Sequence, residues 1–308
     1  MTRAPRLVDW MLLFSLVAMW GSAFMLAELA LAAFDPLAIT ALRIAMGASV
    51  LSLLLVGTGR VLPRSSRAWA YFVLMAVLGN CLPFYLITWG QVEVASGLAG
   101  ILMGVMPLIV VVLAHFTVPG ERLSVARVAG FLLGFAGLAV LLGGEALFEA
   151  RGASALLAEL AILGGALCYG VNVIVAKLQP EKDALTAATG VMLIASAIMV
   201  VTALLSDTVL WPDEAGGSAI VALGLLGLLS TGVATLVYFV VITRVGPTFL
   251  SLINYLIPVW AVVIGSLVLG EKLPLRAYLA MGLILAGVLV TQRHRPDIRL
   301  RGRDAGRH

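Results

Sequence analysis

The sequence predicts an all-α membrane protein: ten transmembrane helices in two inverted five-helix repeats (5+5) around a central cavity. Three observations lead there. The 308 residues are 62% hydrophobic and only 12% charged, with a mean hydropathy of +1.10, whereas a soluble domain carries about 25% charge. Apolar stretches of the roughly 20 residues that a bilayer core requires recur ten times along the chain. Short motifs also recur about 150 residues apart.

The elements follow in order. The first apolar run, 8–30, is too long for the apolar region of a signal peptide and lacks a small-residue cleavage site, so it is expected to stay in the protein. Asp35-Pro36 separates it from the second, 36–57, because proline starts a helix but cannot continue one. Gly57-Thr58-Gly59-Arg60 through Arg67 precedes the third, 68–90. The fourth, 94–118, closes at Pro119-Gly120-Glu121-Arg122, and the fifth, 125–143, at Gly143-Gly144-Glu145. The second five run over 156–177, 185–206, 218–243, 247–269 and 275–292. They are apolar on every face and show no alternation of period two, which excludes surface helices and strands.

Basic residues orient the bundle. With the N-terminus inside, the cytoplasmic set is Arg3, Arg6, Arg60, Arg64, Arg67, Arg122, Arg127, Lys177, Lys182, Arg244 and the six arginines from Arg293 onward. That is 16 of the 20 Lys and Arg; only Arg151, Lys272 and Arg276 fall outside. The bias sets both termini in the cytoplasm of a bacterial-type inner membrane. Membrane topology thus accounts for the net charge of +4, and no nucleic-acid partner is expected. The tail, 293–308, reads as a basic segment lying against anionic headgroups.

The repeat is legible in motifs. Met106-Pro107 matches Ile257-Pro258; Pro119-Gly120-Glu121-Arg122-Leu123 matches Leu269-Gly270-Glu271-Lys272-Leu273; Phe135-Ala136-Gly137-Leu138 matches Leu285-Ala286-Gly287-Val288. Trp20-Gly21 meets Tyr169-Gly170, and Glu28 meets Lys177, at a similar offset. The division is therefore 1–150, the first five-helix repeat; 151–292, the second; and 293–308, the tail. Five is odd, so the halves point oppositely through the bilayer, a plan common among secondary transporters.

The Pro107 … Gly120-Glu121-Arg122-Leu123 … Gly137 string and its second copy resemble the paired signature of EamA-type members of the drug/metabolite transporter superfamily. The resemblance covers about 8–292 and is nearest to the amino-acid exporters of the YddG type. It implies ten helices, inverted halves, alternating access and export of amino acids, aromatic ones among them, or related small metabolites. A nucleotide-sugar or drug-type carrier, or a membrane-embedded enzyme, is the alternative. No zinc-protease or phosphate-loop motif is present, and no cofactor, metal site or catalytic residue is expected. The partners are a small-molecule substrate and lipid; a monomer is expected, with a dimer seam on the fifth or tenth helix as the alternative.

Candidate substrate-binding residues are the polar, aromatic and sulfur-bearing side chains at bilayer depth: Trp20, Asn80, Tyr85, Met103, Tyr169, Asn172, Tyr238, Asn254 and Tyr255. A buried amide needs partners, which turns the three asparagines inward; the aromatic rings could flank an amino-acid side chain and its ammonium. The resemblance implies that the helices of Trp20, Tyr169 and Asn254 line the cavity. Trp69 and Trp89 fit an interfacial belt. Pro83, Pro107 and Pro258 sit mid-helix, where each breaks a backbone bond and can shape or gate the cavity. Of the ionisable groups within spans, Glu28, Arg43, His115 and Glu159, Arg43 is expected near the outer end of the second helix, where it can snorkel, pair with Glu28 or meet a substrate carboxylate; the pairing is the favoured reading. His115 reads as structural, and Cys81 and Cys168 as small buried hydrophobes. Gly100/Gly104, Gly130/Gly134 and Gly282/Ala286 are small-residue steps for close helix packing.

Overall fold

The computed structural model describes residues 5–117, 124–142, 153–181 and 183–293. The motif at 119–123, Gly143 to Glu145, Arg151, Lys182 and the tail from 294 lie outside them. All regular structure among the described residues is helical. Eight helices are long and apolar enough to cross a membrane: α1 (Leu7–Leu31), α2 (Pro36–Gly57), α3 (Ser66–Gly90), α4 (Ser96–Thr117), α5 (Val125–Leu142), α6 (Ala153–Leu178), α7 (Ala184–Leu205) and α8 (Gly217–Val245). Two shorter apolar helices complete the ten: α9, a turn at Pro247–Leu250 continued by Ile253–Val268, and α10, Leu275–Arg293.

Local chemistry sets the ends. Pro36 occupies the first turn of α2, where its missing amide is harmless. Asp183 caps α7 by accepting from the Thr186 amide at 2.8 Å. At the start of α1, Asp9 accepts from the Arg6 amide at 2.9 Å and from Arg244 Nε, at the end of α8, at 2.8 Å. Its carboxylate is fully buried, so this pair pins α1 to α8.

Four helices are irregular, three of them beside the mid-helix prolines Pro83, Pro107 and Pro258; the irregularity of α8 had no proline to announce it. α3 and α8 each contain a π-helical stretch, Val77–Cys81 and Leu226–Val233, with wider turns that leave backbone groups out of register. α4 and α9 tighten instead. Gly104 and Val105 donate to Ile101 and Leu102, and Asn254 and Tyr255 donate to Ser251 and Leu252, all i→i−3 bonds. Each tightening lies just before a proline, Pro107 or Pro258, which has no amide to offer the carbonyl four residues back. The carbonyls of Met103 and Asn254 lose their usual partner.

Packing is pairwise. α5 lies along α10, α2 along α7, and the first segment of α4 along α9. α1 packs on α8 and α9 while α6 packs on α3 and α4; α2 packs on the π stretch of α8 while α7 packs on α3. The α5–α10 crossing is tightest: an alanine Cβ at Gly130 would meet the Gly287 carbonyl oxygen at 2.5 Å. These glycines serve a seam within one chain.

Candidate functional site

Two groups of polar and aromatic side chains are anchored on adjacent residues of α8, Ser230 and Thr231. On α1, Trp20 donates its indole Nε1–H to the Ser230 carbonyl at 3.1 Å, and the Ser230 hydroxyl donates back to the Met19 carbonyl at 2.8 Å. Ser230 belongs to the π stretch of α8, whose irregular backbone frees that carbonyl. Tyr238, two turns on, sets its ring 5.7 Å from that of Trp20.

The second group gathers around Arg43. This arginine lies about 10 Å along α2 from Pro36 at 1.5 Å per residue, well inside the span, and it is 7% exposed. Its Nε donates to the Thr231 hydroxyl at 3.3 Å, and its Cζ sits 3.9 Å from the centre of the Phe84 ring, a cation–π contact. Tyr169 stands close enough to interact electrostatically with it, and the Tyr169 ring meets Phe84 edge-on at 6.3 Å. α2, α3, α6 and α8 thus converge on one guanidinium. The expected pairing with Glu28 does not occur.

Glu28 instead belongs to a cluster at one end of the bundle. Its Oε2 accepts from the Ser96 amide at 2.8 Å. Glu271 Oε1 accepts from the same amide at 2.8 Å and from the Ser96 hydroxyl at 2.5 Å, and its Oε2 accepts from the Gly97 amide at 2.9 Å. Glu271 therefore caps the N-terminus of α4 from 175 residues away, satisfying amides that have no partner within the helix. Gly265 and Gly97 leave room for it, since an added Cβ would approach Glu271 Oε2 within 2.6 and 2.9 Å. Gly270, at φ +68°, makes the turn that aims it.

The remaining predicted residues fall in different surroundings. Asn172 packs its amide on Gly79 in the π stretch of α3, with its Oδ1 buried and unpartnered; the Tyr255 hydroxyl is likewise buried and unpartnered. Asn80 and Asn254 are half-buried, as is Met103, which packs in the α4–α9 core. Tyr85 faces an apolar groove of about 430 Å³ between α3 and α6, shared with Trp89, Leu157 and Leu160. Pro83 is the second residue after the π stretch of α3, and Pro258 lies inside α9 against Gly104 of α4. His115 contacts the Phe116 ring in the last turn of α4.

Sequence reading missed Ser230, Thr231 and Phe84. The hydroxyl pair in an apolar run (Ser230-Thr231) was the available signal; Phe84 carried none.

The EamA-like transporter family model matches this chain twice, over residues 9–143 and 156–293. The chain belongs to the EamA-like transporter family. It is a multi-pass membrane transporter of a small-molecule substrate. It is 27% identical over 276 residues to the uncharacterized transporter YoaV of Bacillus subtilis, covering 90% of this chain and 94% of that protein. It is also 27% identical over 279 residues to the aromatic amino acid exporter YddG of Ancylobacter novellus, covering 90% and 94%. A crystal structure matches with a TM-score of 0.66 at 23% identity, covering 94% of this chain and 98% of that one, a likeness of fold.

Proposed function

We propose that this EamA-like transporter exports amino acids, aromatic ones among them, or related small metabolites from the cytoplasm, through a central site between two inverted five-helix halves that alternately opens to either side. The membrane is of the bacterial inner type, with both termini cytoplasmic. Trp20, Met103, Tyr169, Asn172, Tyr238 and Asn254 bind the solute, and the irregular stretches before Pro107 and Pro258 serve as hinges.

Two features support the inverted halves. The family model matches twice, each match spanning five helices. Three of the larger unlike packing pairs have counterparts when each helix is exchanged for the one five places away: α1–α8 for α6–α3, α1–α9 for α6–α4, α2–α8 for α7–α3.

One observation carries the substrate reading. Rings that can flank a flat side chain lie in the same bundle as the unpartnered Asn172 Oδ1 and Tyr255 hydroxyl. Buried polar groups are nearly always hydrogen-bonded, so a polar solute is their natural partner. The relative named as an aromatic amino acid exporter points the same way. The test is exchange in proteoliposomes preloaded with phenylalanine, tryptophan, leucine or threonine. Saturable exchange of the aromatic pair is expected; absence of flux for every amino acid would overturn the reading.

A further inference from the structure

We propose that Arg43 is the site that takes the carboxylate of the transported solute. The inference deepens the amino-acid reading above and rests on it for the identity of the solute.

Arg43 is a full positive charge inside the hydrocarbon span. Such charges are costly and usually pair with an acid. A guanidinium offers five N–H donors; Arg43 makes one hydrogen bond, a long one to a neutral hydroxyl, and stacks on one ring. Three of the acids in or beside the spans are committed elsewhere. Asp9 is paired with Arg244, and Glu28 and Glu271 are bound at the start of α4. Glu159 is ten residues before Tyr169 on α6, about 15 Å down the helix. Among the described residues no carboxylate neutralises Arg43.

What surrounds the guanidinium is a receptor for an anion with an apolar body. Phe84 covers one face, Tyr169 stands beside it, and the four helices around it come from both proposed halves. The unpartnered Asn172 Oδ1 lies one turn from Tyr169 on α6 and rests on Gly79, five residues before Phe84 on α3. Those five residues span at most about 7.5 Å along α3, a reach of the same order as an amino acid's carboxylate and ammonium with one hydrogen bond of about 2.9 Å at each. Arg43 holds the carboxylate and Asn172 accepts from the ammonium.

The experiment separates this role from a structural one. The full-length protein, in detergent and in proteoliposomes, is challenged with phenylalanine, phenylalanine amide, phenethylamine and phenylpropionate, by thermal shift and by competition for exchange. The parent should prefer phenylalanine over its amide and over phenethylamine by about 10- to 100-fold, the range of a charge-assisted hydrogen bond. Arg43→Gln should bring that ratio near one while melting no lower than the parent, because it removes an unneutralised charge; Arg43→Lys should keep part of the preference. A parent that binds or carries phenylalanine and its amide equally overturns the proposal and leaves the amino-acid reading standing, as does an R43Q variant with its preference intact. Protection of the parent by phenylpropionate alone, lost in R43Q, sustains the carboxylate site and overturns the amino-acid reading. An R43Q variant that melts well below the parent with its selectivity unchanged assigns Arg43 a purely structural role.

Discussion

Substituting Gly287 by alanine probes the α5–α10 seam most directly. A Cβ there would sit 2.5 Å from the Gly130 carbonyl oxygen, 2.7 Å from the Gly134 amide nitrogen and 3.0 Å from the Gly134 Cα. All three are backbone atoms, so no rotamer change relieves the clash. Ordinary contact at this kind of position begins near 3.4 Å, so the helices must part by about 0.9 Å at the crossing. A gap of that size forfeits about a quarter to a half of each dispersion contact along the seam, and overpacking a close-fitted core costs about 1–3 kcal/mol. At roughly 2–4 °C per kcal/mol for a chain of this order of size, G287A should melt about 2–12 °C below the parent. Intrinsic tryptophan fluorescence of the detergent-purified protein reads this out. Gly282, five residues earlier on α10, has no atom within 4 Å of an added Cβ, so G282A should match the parent or exceed it slightly. Equal melting of G287A and G282A would refute the tight crossing.

Three further substitutions test other contacts. Glu271→Gln should cost about 1–3 kcal/mol, because it removes the charge capping α4 and sets an amide donor against the Ser96 or Gly97 amide; Glu28→Gln should be neutral or better, since one of two acceptors on the Ser96 amide becomes able to donate to Glu271, and a larger loss in E28Q than in E271Q would contradict the geometry. Asp183→Ala should cost about 0.5–2 kcal/mol through loss of the α7 cap. Partial burial works against the charge of Asp183, but bonds from Thr186 and the Arg60 guanidinium outweigh it and hold the carboxyl below its usual 3.8. A lowered value in the fold means that the contribution is full above the unfolded value and fades as pH falls through the lowered one. The D183A deficit should therefore stay constant from pH 5 to 8 and shrink only in stronger acid, as melting curves across that range will record.

Hydropathy made the spans legible to within three residues at each end, because a lipid-buried helix needs apolar length and little else. The π stretches in α3 and α8 left no trace in composition, since a π turn uses the same residues as an α turn. The site was legible as residue types and hidden as contacts. Trp20 was legible; its acceptor, the Ser230 carbonyl, lies 210 residues on. Glu271 was seen as part of a repeated motif, while the helix end that it caps is 175 residues earlier. Arg43 was misplaced for the same reason. Its number along α2 gives its depth, but whether it snorkels or turns inward depends on Thr231, 188 residues away, and on Phe84.

The placement of Arg43 bears on how transport is driven. On the proposed repeat, the positions 149 to 151 residues after it are Met192, Leu193 and Ile194, all apolar. The halves can match in shape while only one carries the cation; on the proposed alternation the charge would travel with α2, and its 3.3 Å bond to Thr231 of α8 would break or form in each cycle. With a carboxylate bound, the guanidinium crosses that step neutralised. Empty, it crosses as an unpaired charge in low dielectric, a state that costs several kcal/mol even after relaxation. The empty return should therefore be the slow step, and exchange should outrun net efflux. With phenylalanine on both sides of the proteoliposome membrane, labelled flux should exceed that into empty buffer by at least about tenfold, the rate equivalent of roughly 1.4 kcal/mol. Arg43→Gln should narrow the gap by speeding the empty return as well as by weakening the loaded step. Equal exchange and net efflux in the parent would mean that the buried charge poses no barrier, and the coupling drawn from it would fail.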